Sequence, residues 1–194
     1  MSISLKNEAQ EKQSHKLKGR MITVENFKLS HHSASATQEN KSTFLTQHLI
    51  VYIASGTLRL VNNDSVLSVE EGEMCLISPG SYVSSEFTNN NVFSRFTLFF
   101  NQWTAQCLLK LPGITDALNE QCQPTARQGV HILPKKNIFK LFFDSIRLYH
   151  KLEKKVKDEM LPVKFAELIY ILLDSPHKPA ILSFLSEAAM HSAK

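Results

Sequence analysis

The stretch from Leu49 to Val83, LIVYIASGTLRLVNNDSVLSVEEGEMCLISPGSYV, limits the choice of fold more than any other part of the chain. Four short β-favouring runs are separated by Ser55-Gly56, Asn62-Asn63-Asp64, Glu71-Gly72 and Pro79-Gly80. Asn, Asp and Gly tolerate the positive φ that tight hairpins require, so each break reads as a turn between antiparallel strands. Runs this short and this regularly interrupted build a small barrel or sandwich.

Around that segment the reading extends to an α+β chain with its strands first and its helices after. Met1–Arg20 is polar and basic with almost no apolar anchor, and is expected to be a disordered leader. Residues 21–101 form the β-domain. Its strands are expected at Met21–Leu29, Phe44–Ala54, Thr57–Val61, Ser65–Val69, Met74–Ile77, Tyr82–Thr88 and Val92–Phe100, with Ser30–Ser42 as a polar loop. Residues 102–194 form a helical part, with helices at Trp103–Leu111, Ile114–Cys122, Ile138–Val156, from Asp158 through Leu173 with Pro162 in its first turn, and Ala180–Met190. Gln123–Pro134 reads as a loop, and Asn137 as a helix N-cap.

Composition excludes several classes. Charged residues are 21% of the chain and the net charge is +4, too small and scattered to mark a nucleic-acid surface. The basic run Lys151, Lys154, Lys155 and Lys157 is diluted by acidic neighbours and reads as a solvated helix face. Cys75, Cys107 and Cys122 form no CxxC pair, which favours free thiols inside a cell. No apolar run approaches the roughly 20 residues of a membrane span. A cytoplasmic protein is expected.

The chemistry-bearing side chains fit no reaction. A metal-dependent barrel needs several His and a carboxylate converging from neighbouring strands. Gly56–Gly72 holds no histidine; His31 and His32 are adjacent and would face opposite ways on a strand, and His48 stands alone. There is no G-x-S-x-G elbow, no phosphate-cradling P-loop and no basic cradle around a cysteine. A cupin-type metal-dependent enzyme therefore remains only as a disfavoured alternative, and no cofactor is expected.

The segments LIVYIASGTLRL…LSVEEGEMCLISPGSYV and KFAELIYILLDSPHKPAILSFLSEA (Lys164–Ala188) together resemble the N-terminal half of AraC/XylS-family transcription regulators, nearest in look to the branch controlling virulence and type III secretion. The strand ending at Gly56, the Gly72-Glu73 pair and Pro79-Gly80-Ser81-Tyr82 carry the first match. The resemblance implies a cupin-like effector-binding and dimerisation domain that reaches DNA through a C-terminal helix-turn-helix half, absent from this chain. The polar end His191-Ser192-Ala193-Lys194 is where a linker to that half would begin. It also implies control either by a small molecule inside the barrel or by a regulatory protein on its surface, and a homodimer. A pocket would be lined by Tyr52, Arg59, Arg95, Phe96 and Phe99, with the arginines able to pair with a ligand carboxylate; the opposite reading is that the rings simply fill the barrel. The dimer interface is expected at Phe142, Ile146, Tyr149, Phe165, Leu168, Ile169 and Leu172. On that expectation Leu172→Asp yields a monomer.

Overall fold

The computed structural model describes residues 20–24, 27–62, 65–120, 129–149 and 153–190. The leader at 1–19, Cys122 and the side chains of Lys151, Lys154, Lys155 and Lys157 lie outside the described residues. Among the described residues ten strands form two antiparallel sheets. The strands are β1 (Arg20–Val24), β2 (Phe27–Ala34), β3 (Gln38–Leu45), β4 (His48–Ser55), β5 (Thr57–Asn62), β6 (Ser65–Val69), β7 (Met74–Ile77), β8 (Gly80–Phe87), β9 (Phe93–Phe100) and β10 (Val130–Leu133). The larger sheet runs β1-β2-β9-β4-β7-β10 and the smaller β3-β8-β5-β6. Among the described residues five helices follow or interrupt the strands: α1 (Gln102–Leu109), α2 (Ile114–Glu120), α3 (Asn137–Tyr149), α4 (Lys154–Leu173) and α5 (Lys178–Met190). This is an α+β, cupin-like arrangement.

The central strand shows why the Leu49–Ala54 run is apolar without alternation. β4 lies between β9 and β7, so both of its faces are covered. Ile50 and Tyr52 join a core shared with the helices, through Leu76, Leu98, Phe143, Phe165 and Leu172. Leu49, Val51 and Ile53 point the other way, into the space between the sheets, with Leu58, Val69, Cys75 and Phe93. One sheet thus serves two cores, and a residue's parity along the strand decides which.

The turn residues seen in the sequence each have a task. Gly56 sits at φ +84°, and a Cβ there would fall 2.3 Å from the Phe87 carbonyl oxygen. Gly56→Ala therefore meets both a left-handed backbone and a backbone clash, and should cost at least about 2 kcal/mol, read as a lowered urea midpoint with an unchanged slope. Tyr82, the aromatic after Pro79-Gly80, directs its hydroxyl to the carbonyls of Ser78 at 2.8 Å and Gly129 at 3.1 Å. That contact ties the chain entering β10 to the sheet.

Four expectations need correcting. Ser30–Ser42 is not a loop: β2 runs on to Ala34 and β3 begins at Gln38. Its polarity belongs to an edge strand, since β3 borders the smaller sheet and exposes most of its side chains. Val130–Leu133 is not loop either; it pairs antiparallel with β7 and closes one edge of the larger sheet, so residues 102–194 are not purely helical. The helix expected to reach Val156 ends at Tyr149, and a new one starts at Lys154. That earlier start places Pro162 well inside α4 rather than in its first turn.

Candidate functional site

The space between the sheets holds a charged group that the side-chain alternation brings together. Arg95 on β9 and His32 on β2 project inward from the larger sheet, and Glu86 on β8 meets them from the smaller one. Glu86 is only 6% exposed. Its carboxylate accepts from Arg95 at 3.1 Å and lies 2.9 Å from His32 Nε2. Burial alone would raise the Glu86 carboxyl; the His32 hydrogen bond and the Arg95 and Lys41 charges outweigh it, so the group is held below its usual range. Phe93 flanks the cluster, 6.0 Å from the His32 ring. Ile53, Leu58, Val69, Cys75 and Phe93 are at 0% exposure, so none touches a water-sized void.

The expected pocket residues therefore do not share a pocket. Arg95 faces inward but pairs with Glu86. Phe99 packs from the same side at the margin, beneath Lys28 Nζ at 4.7 Å. Arg59 lies exposed on the smaller sheet and stacks over Phe87 at 4.9 Å. Tyr52 and Phe96 belong to the opposite face of the larger sheet, where Phe143 of α3 stacks on them at centroid distances of 4.5 and 5.1 Å. His31 and His32 do diverge: His31 stacks on Phe96 at 4.5 Å and reaches Ser94 Oγ at 2.9 Å.

The helix faces also differ from expectation. Phe142, Ile146, Phe165, Leu168, Ile169 and Leu172 are all buried within this chain, against Ile50, Leu98 and Phe100. They cannot be the surface of a dimer, because the sheet's own apolar face already covers them. Tyr149, at the end of α3, is half-buried. Among the apolar residues left in solvent are Ile138, Leu141 and Leu148 on α3, and Val156, Met160 and Val163 on α4. Spacings of three, four and seven put each set on one helix face.

Residues 48–184 match the family described as the ExsA N-terminal regulatory domain, well over half of the chain. The chain belongs to that family. It is thus a regulatory domain of the AraC type. No curated protein matches the sequence significantly. Three crystal structures of ToxT from Vibrio cholerae share the fold at 12% identity. An apo single-substitution form superposes with a TM-score of 0.59, covering 79% of this chain and 58% of that one. A second, in a P21 crystal form, gives 0.55, and a third, bound to (E)-4-(8-methylnaphthalen-1-yl)but-3-enoic acid, gives 0.53; each covers 77% of this chain and 57% of the other. This ExsA-type domain therefore spans less than two thirds of the ToxT chains it resembles.

Several contacts of the domain were not legible one residue at a time. His131 on β10 and His177 before α5 meet at 3.2 Å, and burial, then the charge of His177, push His131 below its ordinary value. His48 is buried beside Phe184 at 5.1 Å, with Glu187 at 3.7 Å, which joins α5 to the first turn of β4. Burial pushes the Cys75 thiol up to about 12, which leaves it a small core residue rather than a nucleophile. Among the described residues, no three His, Cys, Asp or Glu side chains converge as a metal would require, and no helix is long and apolar enough to cross a membrane.

Proposed function

We propose that this chain is the sensing and dimerising part of a DNA-binding, AraC-type regulator of gene expression working in the cytoplasm. It acts by binding rather than by catalysis. DNA contact falls to a helix-turn-helix half, and the effector, a small molecule or a regulatory protein, engages the domain outside the filled space between the sheets. The packing at Ile53, Leu58, Val69, Cys75 and Phe93, with Arg95 already neutralised by Glu86, supports a control point outside the barrel.

The observation that carries the dimer reading is the pair of exposed stripes, Ile138-Leu141-Leu148 and Val156-Met160-Val163. Their partner is a second copy of the chain. Helix faces with apolar groups three and four residues apart interlock with like faces, and a two-fold contact uses the same patch twice. Val163→Glu places a charge in the seam at a position 59% exposed within one chain, so the fold is untouched. Light scattering should show the wild type as a dimer and this variant as a monomer that still melts cooperatively, its melting temperature lowered only by the concentration-dependent stabilisation that the dimer supplies. A dimer persisting in Val163→Glu and in Leu141→Glu would rule this interface out.

A further inference from the structure

A cavity of about 120 Å³ lies at the seam between the larger sheet and the start of α3. That is roughly the room of four waters at about 30 Å³ each, enough for one small oxyanion. Three separate segments build it. β4 supplies Tyr52, the β6–β7 turn supplies Glu71 and Gly72, and the entry to α3 supplies Lys135, Lys136 and Asn137, followed by Lys140, Asp144 and Arg147 on the helix.

Charge in the cavity is unbalanced. Four cations, Lys135, Lys136, Lys140 and Arg147, line it against two carboxylates, Glu71 and Asp144, an excess of two positive charges. Asp144 is engaged by Lys140 and, at 3.7 Å, by Arg147. Glu71 accepts from Asn89 at 3.4 Å. Among the described residues Lys135 and Lys136 have no ion pair, so the excess rests mainly on them. The N-terminus of α3, a helix of 13 residues, opens at Asn137 and adds its positive end.

The second observation is Tyr52. It is 4% exposed, and its ring is fixed flat on Phe143, 3° from parallel. Among the described residues its hydroxyl makes no hydrogen bond, although it lines the cavity. Burial, then Asp144, raise its pKa against the pull of Arg147, so the group is a proton donor at neutral pH. The ring is buried while the hydroxyl opens on the cavity, so an acceptor there would meet a fixed donor that no described residue already uses. Gly72 contributes by its missing side chain: a Cβ there would lie 2.7 Å from Lys135 Cδ, so the Lys135 stem can lie across the turn.

We propose that this cavity binds a phosphoryl dianion, with Tyr52 Oη donating from its floor, Lys135 and Lys136 closing it from the side, and the N-terminus of α3 facing the anion. The excess of two charges matches a dianion and the volume matches a single phosphoryl group. The claim concerns binding alone and does not depend on the dimer. A monomeric Val163→Glu protein should bind as the wild type does.

The test uses the whole chain, titrated with inorganic phosphate and separately with glycerol 3-phosphate, in chloride of matched ionic strength. Calorimetry should show saturable binding, and scanning fluorimetry a melting temperature that rises with ligand beyond the chloride control. A response to phosphate alone identifies the free ion, and an equal or larger response to the ester identifies a phosphorylated molecule. Tyr52→Phe keeps the ring stack and removes only the hydroxyl; Lys136→Gln removes one charge. Each should weaken binding about tenfold, as expected for one charge-assisted hydrogen bond, and the double variant should abolish it, while Lys110→Gln, far along the chain at the end of α1, changes nothing. Circular dichroism confirms that the variants fold. A thermal rise reproduced by chloride, or unchanged binding in the folded double variant, overturns the site.

Discussion

Leu172→Asp should unfold the domain rather than divide a dimer. Leu172 is 1% exposed and sits in the core that joins α4 to the larger sheet. Truncation to Ala at such a site costs about 2–5 kcal/mol through lost transfer energy and a cavity. An Asp adds a carboxylate among apolar side chains, and the ion pair described on α4 joins Lys164 to Glu167 rather than reaching Leu172. An unpaired buried charge costs several kcal/mol more or forces the group neutral. The sum approaches the whole stability of an ordinary domain, about 5–15 kcal/mol. Far-UV dichroism and a thermal melt should show no cooperative transition at 37 °C. A folded, cooperatively melting Leu172→Asp monomer would instead return Leu172 to a subunit interface.

That reversal shows where the sequence stops being informative. Apolar residues occur nearly all round α4, so periodicity announces a covered helix without saying what covers which face. The sheet decides, because Phe100 meets Phe165 at 5.2 Å and draws that side of the helix inward. The strands were readable because their signals are local: Gly56, Gly72 and Pro79-Gly80 sit at breaks that any alternating chain would need. β10 was not readable. Its run is only four residues long, and its place is set by pairing with β7 and by the Tyr82 hydroxyl, both distant in sequence. The parity of Arg95 and Phe96 was legible only in part. Adjacent residues on a strand must diverge, so one pocket cannot hold both; a barrel pattern alone suggests an inside and gives no sign of a second core behind its wall. Tyr52 lines a cavity on the helix side of the sheet rather than inside the barrel, and that cavity needs residues 71–72 and 135–147 to exist.

The inter-sheet cluster gives the second large effect, and its sign can be worked out. Arg95→Ala should destabilise the domain by about 3 kcal/mol, because it leaves the Glu86 carboxylate between two sheets with His32 beside it and only the weaker pull of Lys41 as a charge. Glu86→Gln should cost less. The Arg95 side chain is 26% exposed and can turn its charge to water, while the amide keeps the volume and can still bond His32. Replacing both, as Arg95→Met with Glu86→Leu, removes the charges together and should recover most of the loss, since apolar pairs of similar shape replace buried ion pairs at little or no cost. Urea titrations of the wild type, Arg95→Met, Glu86→Leu and the variant carrying both give the coupling energy directly. Acid adds an independent check. Folding holds the Glu86 carboxyl below its ordinary 4.5, so its contribution is fully present above that value and is lost as pH falls through the lower, folded value. The wild type should therefore lose more stability than Glu86→Gln as the pH drops from neutral to below 4.5. Parallel losses in the two proteins would mean that Glu86 is not held by its partners, and the cluster would then be a contact of convenience rather than the clasp between the sheets.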